Sequence, residues 1–207
     1  MASPADLLFF LGTVGLISLS GVLMPGPVFA AAIVKGAERK HAGAWIALGH
    51  LVVEVPLIAA IAAGLYYFFR NDWVKIGIGV VGGALLLYMG ARMFQMRNDE
   101  EIVKKAFPAH PMVAGILTTA TNQYFILWWA TVGAALILTG LTFGVIGIVA
   151  MAVVHESCDF GWDYFVSYSA FVSRKLWTKN IRAYVFGICG LILVAFGIYF
   201  ILAFWAG

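Results

Sequence analysis

The stretch at 7–34, LLFFLGTVGLISLSGVLMPGPVFAAAIV, decides how this chain is read. It contains no charged residue, and about 20 apolar residues at about 1.5 Å each suffice for a helix to cross a bilayer core of about 30 Å. Near its end stands Met24-Pro25-Gly26-Pro27. Two prolines withhold two backbone donors, and Pro25 disfavours the helical region for Met24, so a helix must open there. Open backbone at that depth is tolerated only where protein or a water-filled cavity supplies partners, which makes the break a candidate for a translocation path. A simple kink packed by neighbouring helices is the plainer alternative.

Outward from this stretch the composition agrees. Of 207 residues, 63% are hydrophobic and 11% charged. Soluble domains are nearer to about a quarter charged. These figures exclude a disordered chain, a coiled coil, a collagen and a disulfide-stapled module. Apolar runs recur at 42–69, 73–91, 112–138, 143–172 and 183–206, so the chain is expected to be an all-α polytopic membrane protein of six spans in a single domain. The first run lacks a basic n-region, carries Asp6 at its start and is too long for a signal sequence, so it is expected to stay in the mature protein. A polar connection at 92–111 is expected to act as a cytoplasmic hinge between halves 7–91 and 112–206.

The net charge of +3 resolves into topology rather than a nucleic-acid surface. Connections one, three and five hold Lys35, Arg39, Lys40, Arg92, Arg97, Lys104, Lys105, Arg174, Lys175, Lys179 and Arg182, against Arg70 and Lys75 opposite. Positive residues stay in the cytoplasm, so both termini are expected outside.

With three spans on each side of the hinge, the halves enter the membrane from opposite faces, as in an inverted-topology repeat. Irregular features recur accordingly. The first span of each half is expected to be broken, at Pro25-Gly26-Pro27 and at the polar run Thr118-Thr119-Ala120-Thr121-Asn122-Gln123. His50 precedes Glu54 by four residues and His155 precedes Asp159 by four, so each half places an imidazole and a carboxylate on one helix face. Gly79-x-x-Gly82 and Gly187-x-x-Gly190 are expected at equivalent packing points of spans three and six.

All 13 cations lie at or beyond span ends, whereas Glu54, Glu156, Asp159 and Asp163 fall inside. A charge at the bilayer centre costs about 2.5–3.5 kcal/mol on insertion scales, so protons, mutual pairing or a cation must compensate. These residues, with His50 and His155, are the candidates for proton or cation coupling. Pairing that only holds helices together is the alternative, and Asp163, nearer the cytoplasmic end, ranks below the others.

Three patterns mislead. Gly77-Ile78-Gly79-Val80-Val81-Gly82 matches a dinucleotide fingerprint but follows no strand. His155-Glu156-Ser157-Cys158-Asp159 resembles a zinc-protease helix without a third ligand, leaving an intramembrane metalloprotease as a remote reading. Cys158 and Cys189 are not in a C-x-x-C pair and read as small buried hydrophobes.

At Pro25-Gly26-Pro27, in the basic connection that follows it, at Asn122 and in the aromatic run from Tyr124 to Trp129, the sequence resembles the LysE family of bacterial and archaeal amino-acid exporters over its whole length. Gln123 stands where that family tends to carry proline. Gly49-His50-x-x-x-Glu54 and His155-x-x-x-Asp159 are similar to one branch of the family, with Val154 where a glycine usually precedes the second histidine, and Asp163 has no counterpart. The resemblance implies six spans in a prokaryotic plasma membrane, export from the cytoplasm and coupling to a proton gradient.

The expectation is therefore a membrane exporter of an amino acid or a small amino-acid-like solute, exchanged for protons by alternating access. Pro25, Gly26, Pro27, Asn122 and Gln123 would line the path, with no cofactor, no catalytic residue and an undetermined oligomeric state. A divalent-cation transporter using the His and carboxylate cluster is the alternative.

Overall fold

The computed structural model describes residues 3–65, 71–97, 107–176 and 178–205. Helix α1 (Pro4–Val22) starts from a capping box, in which the Asp6 amide donates to Ser3 Oγ at 3.2 Å and the Ser3 amide donates to Asp6 Oδ2 at 2.8 Å. It ends where the prolines demand. Leu23 to Gly26 are non-helical, and α2 (Pro27–Glu38) restarts with Pro27 in the first turn, where its missing donor costs nothing.

Helix α3 (Ala42–Ala60) runs on into a π-helical turn, Ile61–Leu65, and α4 spans Asp72–Met96. In the second half α5 (Pro111–Ala120) stops at Thr121, and α6 (Gln123–Trp128) continues through a π-turn (Trp129–Gly133) into α7 (Ala134–Leu141). The long α8 (Gly144–Ser173) and α9 (Lys179–Trp205) complete the bundle.

Among the described residues, five helical stretches are long and apolar enough to cross a membrane: Pro4–Val22, Ala42–Gly64, Tyr124–Leu141, Gly144–Leu176 and Lys179–Tyr199. The expected span at 73–91 falls within α4, which is 25 residues long but outside that set. Two expectations shift. The run at 7–34, expected as one broken span, divides into α1, which alone has the length and apolarity to cross, and the shorter α2. The hinge expected from Arg92 begins later, because α4 stays helical to Met96; residues 98–106 lie outside the described ones.

The packing inverts that of a soluble protein. Large apolar side chains point outward, including Phe9 and Leu16 on α1, Val145 and Val149 on α8, and Leu191 and Leu202 on α9, while Ser18, His50, Glu54, Thr119, His155, Asp159 and Asp163 are buried. Two glycines on α3 set the position of the buried polar groups. A Cβ at Gly43 would strike the Asp163 carbonyl on α8, and one at Gly49 would strike the Met112 carbonyl on α5. Backbone contact on both sides thus wedges α3 between α5 and α8, and the Gly43 amide donates to Ser167 Oγ at 2.8 Å. Helices α4 and α9 meet at Gly90 with Gly190 and at Gly83 with Gly197, while the surroundings of Gly79 and Gly82 lie outside the described ones. Cys189 is buried in the adjoining core with Leu86, Phe186 and Leu193.

Candidate translocation site

The wedge brings the two i,i+4 pairs face to face. His50 Nε2 lies 3.2 Å from Glu54 Oε2 and 3.8 Å from Asp159 Oδ1. His155 Nε2 lies 3.2 Å from Glu54 Oε1 and 3.2 Å from Asp159 Oδ2. Each imidazole is also held from behind by a hydroxyl of the other half: His50 Nδ1 pairs with Thr119 Oγ1 at 2.8 Å, and His155 Nδ1 with Ser18 Oγ at 2.7 Å. These bonds fix both rings with Nε2 turned into the cluster.

Glu54 sits at the centre, only 1% exposed. Its Oε1 accepts from the Trp129 indole at 2.7 Å and from His155 Nε2 at 3.2 Å. Aromatic rings enclose the imidazoles: Trp128 stacks on His155 with centroids 5.0 Å apart, and Phe125 meets His50 edge-on at 5.3 Å. A carboxylate in such a setting is tolerable only because donors reach it from the π-turn, through Trp129, and from α8, through His155.

A cavity of about 60 Å³, room for a few waters, opens on the cluster. Met24 and Gly26 from the first break, Asn122 from the second, and His50, His155, Asp159 and Asp163 all line it. The two breaks therefore meet. A Cβ at Gly26 would lie 3.7 Å from Asn122 Nδ2.

The residues singled out in the sequence divide into three groups. Gly26, Asn122, His50, His155, Asp159 and Asp163 share the cavity wall, and Asp163 is as deeply placed as the rest. Pro25 and Pro27 flank the wall and act on the backbone, while Glu54 lies behind it, reached through His50, His155 and Trp129. Glu156 is half-buried, its Oε1 without a hydrogen-bond partner, and the side chain of Gln123 lies outside the described ones. Asn122 spends Oδ1 on capping α6, accepting from the Phe125 amide at 3.4 Å.

Ser18, Trp129 and the specific role of Thr119 escape a reading of the sequence. For Trp129 a signal existed: an indole N–H inside an apolar span needs an acceptor, and few acceptors are available there.

Helices that carry apolar surfaces outward and enclose a polar, cavity-bearing centre at two helix breaks define a multi-pass membrane transport protein. The model of the LysE type translocator family matches residues 19–203, and the chain belongs to that family. It is also similar to the putative amino acid efflux protein YcgF of Bacillus subtilis, 26% identical over 181 residues that cover 84% of this chain and 87% of that one. No solved structure matches.

Proposed function

We propose that this protein exports an amino acid or a small amino-acid-like solute from a prokaryotic cytoplasm in exchange for protons. The observation that carries the reading is the single cavity shared by both helix breaks and the buried His and carboxylate cluster. The Met24 amide donates to Gly21 and the Gly26 carbonyl accepts from Ala30, so it is the Met24 carbonyl and the Gly26 amide that would meet a solute enclosed by the aromatic walls, while the cluster beneath takes up the exchanged protons. The similarity to an amino acid efflux protein supports the substrate class and the direction.

The halves act as inverted repeats that rock against each other. The reciprocal pairing of His50 with Thr119 and of His155 with Ser18 supports this, since each half's second span is latched to the other half's broken first span. The excess of cations in the odd-numbered connections supports a topology with both termini outside.

The test is counterflow in proteoliposomes. Purified protein loaded with one amino acid at a time, across a panel of apolar, acidic and basic ones, is expected to exchange at least one of them with external label. A panel without exchange above empty vesicles contradicts the substrate class.

A further inference from the structure

We infer that His50, Glu54 and Asp159 form a binding site for a divalent transition-metal ion of the zinc class. One ligand atom from each of the three lies within 4.8 Å of the others, and all three residues are at least nine-tenths buried.

The separation of 3.2 Å between His50 Nε2 and Glu54 Oε2 has two chemical meanings. It is a hydrogen-bond length, and it is also the edge of a tetrahedron around zinc, about 3.3 Å for ligands at about 2.0–2.1 Å from the metal. The orientation of the groups decides between them. His50 Nε2, Glu54 Oε2 and Asp159 Oδ2 make no hydrogen bond although they crowd together. With Nδ1 donating to Thr119 Oγ1, His50 Nε2 presents a lone pair to Glu54 Oε2 at 3.2 Å, and two acceptors facing at that distance call for a cation between them. Each is a buried polar atom that has ion-pair contacts at 3.2 Å but no hydrogen bond, and an ion between them would complete its partners.

The surroundings fit a cation there. Thr119 Oγ1 holds His50 Nδ1 at 2.8 Å, the outer bond that directs a metal-binding imidazole and keeps Nε2 free for the ion. Trp129 and His155 both occupy Glu54 Oε1, which leaves Oε2 for coordination. One neutral imidazole and two carboxylates neutralise a divalent ion, so the occupied site carries no net charge into an apolar interior. His50 and Asp159 line the cavity, which supplies the entry path and room for a water as fourth ligand.

The inference stands on ligand geometry and holds whatever solute is exported. Its consequence for transport is competition: an ion on His50, Glu54 and Asp159 occupies the groups that exchange protons and arrests turnover.

Chelator-stripped protein in detergent is incubated with zinc, desalted and analysed for bound metal, with a parallel titration by cobalt read through the visible absorbance of a tetrahedral site. About one ion per chain is expected, with a raised Tm. His50→Ala and Asp159→Asn are expected to lose the ion, Thr119→Val to weaken it by about 10- to 100-fold, and His41→Ala and His110→Ala, whose imidazoles lie outside the cluster, to retain it. Failure of the wild-type chain to hold zinc or cobalt, or retention of the full equivalent by Asp159→Asn, overturns the site. Counterflow by a chain that binds no metal leaves the export reading intact, and metal binding without counterflow does the reverse.

Discussion

In the first half the chain leaves the helix over Leu23 to Gly26, where two prolines withhold donors; in the second it leaves over Thr121 and Asn122, with no proline at all. The first break is enforced, because no rearrangement restores the missing N–H groups. The second is only capped: Asn122 accepts from the Phe125 amide, a bond worth about 1 kcal/mol. A similar asymmetry marks the cluster. His155 Nε2 donates to Glu54 Oε1, whereas His50 Nε2, its counterpart in the other half, makes no hydrogen bond. The two histidines thus divide the work: His155 supports Glu54, and His50 is left without a hydrogen bond on Nε2.

That division predicts unequal costs for the two carboxylates. Glu54→Ala strands the Trp129 indole and His155 together, and is expected to destabilise the folded protein by about 3–5 kcal/mol in denaturant titrations in detergent. Asp159→Ala, which removes an Oδ2 without a hydrogen-bond partner, is expected to cost clearly less. Equal losses would break the comparison.

Next in size is Gly49→Ala. The added methyl meets the Met112 carbonyl, forces α3 from α5, and is expected to cost about 1–3 kcal/mol. An unchanged melting curve would show that the wedge does not position His50. The smallest effect belongs to the softer break. Asn122→Ala is expected to lower stability by about 1 kcal/mol by removing the α6 cap, with counterflow reduced as well, because Asn122 lines the cavity. Wild-type counterflow in this variant would confine Asn122 to capping.

The parts of the fold that were legible in the sequence are those dictated by local chemistry. Prolines at 25 and 27 announce the first break, and i,i+4 spacing announces that His50 shares a face with Glu54 and His155 with Asp159. What was not legible depends on contacts between distant segments. Nothing local states that the two pairs converge, because convergence rests on Gly43 and Gly49 admitting the backbones of α8 and α5. Lys35 makes the same point. Counted as one more cytoplasmic cation, it is in fact buried in the last turn of α2 and paired with Glu38 at 3.1 Å. Its side chain is only 4% exposed, so the ammonium is buried along with its stem.

The central claim, that the cluster beneath the joined breaks couples transport to protons, is tested most directly by efflux from solute-loaded proteoliposomes after an imposed pH gradient. The account predicts that wild-type protein accelerates efflux when the gradient is applied and that Glu54→Gln combined with Asp159→Asn, incorporated to the same level, does not respond to it. An undiminished response in the double variant would contradict it.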